Sequence, residues 1–95
     1  MLLMRFHFDP EKSSALRANP KRGIGFEEVQ ALFYGDHIVD RRSDDPEQWR
    51  AIGWVAGNLY SVIYEIRTDN AGEFYHLVTL WSATAEERRL YANTI

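Results

Sequence analysis

Several charged and aromatic side chains of this 95-residue chain could act on a phosphodiester. Metal-free cleavage of RNA needs a base for the 2′-hydroxyl proton, an acid for the leaving 5′-oxygen and cations for the developing charge. Either Glu65 or His76 could serve as base or acid, and Arg67 and Arg88 are candidate catalytic cations. Other candidates could hold RNA by charge or by base stacking. These RNA-binding candidates are Lys12, Arg50, Trp81 and Arg89.

The same residue types also have ordinary structural roles. Arg50 and Glu65 could pair across a β-hairpin, and Arg88 and Arg89 could form a solvated helix face. Tryptophans are more often core residues than base platforms, and a histidine such as His76 is more often simply hydrogen-bonded. On spacing alone the structural roles are favoured.

Other chemistries have no support in the sequence. The chain has no cysteine, and its three histidines lie on separate segments without a metal-ligand spacing, so neither a metal site nor a cofactor is predicted. It also lacks the serine-nucleophile motifs and a phosphate-binding glycine loop.

Composition limits the partners and the cellular location that the sequence predicts. A net charge of −3 is not typical of a general nucleic-acid binder, so any RNA contact must come from a local patch. No apolar run approaches the ~20 residues of a membrane span. The lack of cysteine fits a reducing compartment, and a cytoplasmic location is predicted.

The elements that must position these side chains can be outlined from local patterns. Alternating apolar residues predict a strand over residues 2–8, and Asp9-Pro10 is typical of a helix start. A second helix is predicted from Gly25 to Phe33. A capping box over residues 84–87 starts the last helix, with Arg88 and Arg89 facing outward and Leu90 inward.

The centre of the chain, residues 48–65, is predicted to be a β-hairpin. Gly57-Asn58 would form its turn, because both residue types tolerate positive φ. That register places Arg50 opposite Glu65. Both faces of the hairpin are largely apolar, which indicates the middle of a sheet covered on each side.

The order of elements predicts the fold class. A strand, two helices, a strand-rich block with short turns and a C-terminal helix indicate one α+β domain over residues 1–95. Because short loops join antiparallel neighbours, a central antiparallel sheet is expected.

Five short stretches, in order along nearly the whole chain, resemble the BrnT family of bacterial type II toxins. They are residues 6–12 (Phe-His-Phe-Asp-Pro-Glu-Lys), 22–29 (Arg-Gly-Ile-Gly-Phe-Glu-Glu-Val), 47–53 (Glu-Gln-Trp-Arg-Ala-Ile-Gly), 64–67 (Tyr-Glu-Ile-Arg) and 83–91 (Ala-Thr-Ala-Glu-Glu-Arg-Arg-Leu-Tyr). In the second stretch Gly25 stands where the family usually has serine.

The resemblance implies a RelE-like fold and a ribonuclease toxin that halts translation without a metal ion. It also implies a partner, a BrnA-like antitoxin with a ribbon-helix-helix domain. A homodimer is a further possibility that the sequence leaves open.

Three positions depart from the family pattern. Gln48, His76 and Trp81 stand where the family usually has arginine. The loss of three cations opens an alternative, a diverged member that no longer cleaves RNA and acts as a protein-binding module. A third alternative is a small-molecule-binding domain that uses the aromatic face.

Overall fold

The computed structural model describes residues 4–95. Leu2 and Leu3 of the predicted first strand therefore lie outside the described residues. The elements, in chain order, are β1 (Phe6–His7), α1 (Pro10–Ala18), α2 (Phe26–Val29), a 3₁₀ helix (Gln30–Tyr34), β2 (His37–Asp44), β3 (Glu47–Val55), β4 (Asn58–Asp69), β5 (Gly72–Ser82) and α3 (Ala85–Thr94). The predicted α+β class is confirmed.

The sheet has the strand order β1-β5-β4-β3-β2. Strands β2 to β5 form an antiparallel meander, but β1 runs parallel to β5, with Phe6 beside Tyr75 and His7 beside His76. The expected antiparallel sheet is thus wrong in one respect, because the sheet is mixed. No short loop joins β1 to β5, because helices and three strands lie between them in the chain. This long connection allows the two strands to pair in parallel.

The first two helices cover one sheet face. Asp9 caps α1, with its side chain accepting from the Glu11 N–H at 2.9 Å, and the helix ends at Asn19 before Pro20. The predicted second helix is a short α-helix that tightens into the 3₁₀ helix. Its apolar stripe is buried in the main core. The stripe consists of Phe26, Val29, Leu32 and Phe33.

Helix α3 covers part of the opposite face. Thr84 accepts from the Glu87 N–H at 3.1 Å while the Glu87 carboxylate accepts from the Thr84 N–H at 2.9 Å, so the predicted capping box is confirmed. Glu87 and Tyr91, one turn apart, are the buried side chains of the helix. Leu90 is 38% exposed, so its predicted inward orientation is wrong.

The central hairpin forms with a register two residues from the predicted one. Its turn is Ala56-Gly57, with φ of 49° and 85°, and Arg50 lies opposite Ile63 rather than Glu65. A shift of two preserves the face of every side chain, so the predicted faces hold. In the observed register Leu59 is buried opposite Trp54, and Val55 and Asn58 form the last pair before the turn.

The start of α2 depends on close packing against α1. Gly25 has no side chain to cap the helix, and the Ser13 hydroxyl of α1 does so instead by accepting from the Phe26 N–H at 2.8 Å. A Cβ at Gly25 would meet the Ser13 hydroxyl and lie 2.9 Å from the Ser13 carbonyl oxygen. The glycine is therefore needed for this contact between the two helices.

We expect Gly25→Ala to lower the free energy of unfolding by about 2 kcal/mol, because the methyl group would push α1 away from α2. Gly35→Ala is the matched control, since a Cβ there meets nothing within 4 Å and its φ is −103°. It should change stability by less than about 0.5 kcal/mol. Urea denaturation measures both, and equal effects would contradict the packing argument.

Candidate functional site

Helix α3 packs its apolar side chains against one end of its sheet face, and the other end of that face extends beyond these contacts. Helix α3 contributes Tyr91 to an apolar cluster with Ile52 and Leu59, at one end of that face. The same face continues past Arg50, which bonds to α3, into a group of polar and aromatic side chains. We call this group the polar face. It comprises His7, Gln48, Glu65, Arg67, Phe74 and His76.

Glu65 is the carboxylate at the centre of the polar face. Gln48 donates to it at 2.8 Å, and Arg67 donates at 3.0 Å through Nε and 2.6 Å through Nη2. The hydrogen bond from Gln48 and then those from Arg67 hold the pKa of Glu65 below its usual value. Glu65 is therefore an anion at neutral pH and cannot act as an acid there.

His76 lies opposite Glu65 on β5 and beside His7 on β1. Burial lowers the pKa of His76 below 6.5, and the charges of Arg67, His7 and Lys12 lower it further, while Glu65 raises it. The imidazole is thus neutral at pH 7 and can accept a proton.

The structure brings four of the eight predicted site residues together. Glu65, Arg67 and His76 share the polar face, and Lys12, in the first turns of α1, is close enough for its charge to act on His76. The His76 imidazole, which can accept a proton, therefore has a carboxylate and two cations around it. A proton acceptor and cations are two of the three parts that metal-free cleavage of RNA requires.

Arg50 and Trp81 belong to a second group, which we call the anchoring cluster. Arg50 donates to Asp40 at 2.9 Å and to Glu87 at 3.1 Å, and Trp81 Nε1 donates to Glu87 at 2.9 Å. Arg42 lies over the Trp81 ring, 5.6 Å from its centre. These contacts bind α3 to the sheet and occupy the groups that would otherwise meet RNA.

Glu87 is the most deeply buried carboxylate in the anchoring cluster, with 6% of its side chain exposed. Burial alone would raise its pKa, but hydrogen bonds from the Thr84 N–H and Trp81 and the charge of Arg50 outweigh burial and lower it. Because its pKa is lower in the folded protein, ionised Glu87 stabilises the fold at pH values above the pKa of Glu87 in the unfolded chain. That stability is lost as the pH falls through the folded pKa.

The remaining two predicted residues, Arg88 and Arg89, are exposed on α3. Within residues 4–95 neither forms an ion pair. They face outward, as predicted, but no contact described in the structure joins them to the polar face. Their roles stay predictions.

Three members of the polar face were missed by sequence reasoning as site residues. Gln48 reaches Glu65 only because of the two-residue register shift. His7 reaches His76 only through the parallel pairing of β1, and it stacks on Phe74 with ring centres 4.0 Å apart. The alternation over residues 2–8 puts Arg5 and His7 on the same side of the strand, and this is the signal in the sequence.

No protein-family model matches the chain, and no curated protein matches it. The resemblance to the BrnT family therefore rests on the five short stretches alone. Separately, none of the helices within residues 4–95 has the length and apolar character to cross a membrane.

We expect Arg67→Gln to raise the pKa of His76, because the substitution removes a positive charge that disfavours the imidazolium. NMR titration of the histidine ring protons measures this shift. Arg41→Gln is the control, since Arg41 lies over Trp49 on the opposite face of the sheet and the substitution removes the same charge. Equal shifts in both variants would contradict the proximity of Arg67 and His76.

We expect Arg50→Gln to destabilise the protein by about 3 kcal/mol, because it leaves the buried Glu87 carboxylate without its cation. The pKa of Glu87 should rise, so acid unfolding should begin at a higher pH. Circular dichroism during acid titration measures both effects.

The matched control for the anchoring cluster is Arg41→Gln. It breaks an exposed ion pair with Asp44 at 3.2 Å and should cost less than about 1 kcal/mol. An unchanged acid midpoint in Arg50→Gln would show that Glu87 does not depend on Arg50.

Proposed function

We propose that the chain is a metal-independent endoribonuclease of the toxin type, with the polar face as its active site. The observation that carries the proposal is the position of His76 opposite Glu65, which Arg67 holds by hydrogen bonds, with Lys12 close enough for its charge to lower the pKa of His76. The BrnT resemblance implies the same activity. A RelE-like fold belongs to this proposal, since the mixed five-stranded sheet and three helices support only the α+β class.

In the proposed reaction, His76 accepts the proton of a 2′-hydroxyl group. The 2′-oxygen then attacks the adjacent phosphorus, and the bond from phosphorus to the 5′-oxygen breaks. The products are a 2′,3′-cyclic phosphate and a 5′-hydroxyl. The Lys12 ammonium carries a proton that it can give to the leaving 5′-oxygen.

The charged neighbours have separate roles in this scheme. Arg67 and Lys12 offset the negative charge that develops on the phosphate oxygens. Glu65 holds Arg67 in place through two hydrogen bonds and stabilises the imidazolium once His76 has taken the proton. Glu65 is thus a positioning residue rather than the acid.

The proposed setting follows from the resemblance. The partner would be a BrnA-like antitoxin with a ribbon-helix-helix domain, and the protein would act in the cytoplasm. The antitoxin would neutralise the toxin by keeping RNA away from the polar face.

A second candidate function is a protein-binding module without catalysis. Gln48 and Trp81 stand where the family usually has arginine, and their N–H groups donate to Glu65 and Glu87 within the protein. The polar face therefore offers a phosphate fewer cations than the resemblance implies. This observation favours a diverged, inactive member.

A cleavage assay in EDTA separates the two candidates. We expect the protein to cut single-stranded RNA and to leave 2′,3′-cyclic phosphate ends. His76→Ala should reduce the cleavage rate by about 100-fold or more, because the general base is removed. In the wild type the rate should rise with pH through the pKa of His76, below 6.5, as the imidazole loses its proton.

Arg41→Gln is the control for the assay. Arg41 lies on the other face of the sheet, and its substitution removes the same charge as Arg67→Gln. It should keep wild-type activity, whereas Arg67→Gln should lose most of it. Folding of each variant is checked by circular dichroism. If the wild type leaves RNA intact in EDTA, the ribonuclease proposal fails and the binding-module candidate stands.

A further inference from the structure

The rings of His7 and Phe74 form a stack on the polar face. Their centres lie 4.0 Å apart and their planes are inclined by 29°. His7 is exposed and Phe74 is half-buried, so this pair lies at the surface rather than in either apolar core. Aromatic surface in such a position is available to a ligand with a flat apolar ring.

The stack is held in place from one side. The Arg5 guanidinium lies 5.5 Å from the centre of the Phe74 ring. Arg5 is itself fixed by an ion pair to Asp69 at 2.6 Å and a hydrogen bond to the Gly72 carbonyl at 3.3 Å. Phe74 therefore keeps one orientation, and because Arg5 and His7 both lie against its ring, the exposed His7 ring is the part of the stack that a base can reach. Binding a base there costs little conformational entropy of the protein side chains.

The stack also lies next to the groups of the proposed active site. His7 is the direct neighbour of His76 in the parallel ladder, at the spacing of about 4.8 Å between adjacent strands. Phe74 lies opposite Arg67 in the β4–β5 ladder. A nucleotide with its phosphate at His76 and Arg67 would therefore have an adjoining base within reach of the stack.

Trp81, the aromatic residue expected from the sequence to stack a base, is occupied. Its Nε1 donates to Glu87, and Arg42 lies over its ring. The aromatic rings of the main core are also committed, since Phe33, Tyr64 and Tyr75 pack against one another. Among the described residues, the exposed His7 and the half-buried Phe74 remain as the ring pair beside His76.

We propose that His7 and Phe74 form a base-stacking subsite for the nucleotide that adjoins the phosphate at His76. The substrate class is then single-stranded RNA, because a base must leave its own stack to lie on a protein ring. Stacking accepts every base, so the subsite itself imposes little sequence preference. The location of the phosphate rests on the proposed function, whereas stacking can be tested without cleavage.

The test uses a short single-stranded oligonucleotide with 2′-O-methyl riboses, which has no free 2′-hydroxyl and cannot be cut. It carries one 2-aminopurine, whose fluorescence is quenched when the base stacks. We expect binding to the wild type to quench the fluorescence. A duplex containing the same base should show no additional quenching.

Variants identify the platform. His7→Ala should weaken binding by about fivefold or more and remove the protein-dependent quenching, in line with the usual strength of base–aromatic stacking. His7→Phe keeps a ring and should restore both. Phe74→Leu keeps apolar volume without a ring and should reduce the quenching. Arg41→Gln, on the opposite face, should behave as the wild type.

The outcomes distinguish this inference from the proposed activity. Binding without quenching, or equal binding by His7→Ala and the wild type, would overturn the subsite even if the wild type cleaves RNA. Quenching that depends on His7, without cleavage of ordinary RNA, would leave the subsite standing and overturn the ribonuclease. If the oligonucleotide does not bind at all, the subsite is wrong, and the cleavage assay alone then judges the activity.

Discussion

The register of the β3–β4 hairpin decides which partner each charged side chain of the α3-side face can reach. With Arg50 opposite Ile63, its guanidinium bonds to Asp40 on one side and to Glu87 of α3 on the other. Glu65 is left one step further along the ladder, where Gln48 donates to it. The same register thus anchors the helix at one end of the face and assembles the polar face at the other.

The parallel pairing of β1 with β5 brings two further residues to the polar face, in addition to those positioned by the hairpin. Only two residues of β1 pair with β5, yet one of them puts His7 beside His76. The turn into α1 follows directly, so that Lys12 comes within range of the same imidazole. The pairing of this two-residue strand therefore brings His7 and Lys12 to a site whose other residues lie on β3, β4 and β5.

Local signals in the sequence were sufficient for most elements but not for their pairing. The Asp9 cap, the stripe beginning at Phe26 and the Thr84 capping box each involve residues close in sequence, and each was predictable. The hairpin turn was not, because Gly57-Asn58 has the residue types that tolerate positive φ, whereas the turn that forms has Ala56 at φ 49° before Gly57 at 85°. The contact of His7 with His76 depends on a long-range pairing that no local pattern reveals.

Two carboxylates on this side of the sheet accept from neutral side chains. Gln48 donates an N–H group to Glu65, and Trp81 donates one to Glu87. A neutral donor does not compensate the carboxylate charge, so Arg50 does so at Glu87 and Arg67 does so at Glu65 through two hydrogen bonds. A phosphate at the polar face must then compete with Glu65 for Arg67 or use its other donors. The affinity of the polar face for a phosphodiester is therefore set by the competition between Glu65 and the phosphate for Arg67, rather than by the presence of Arg67 alone.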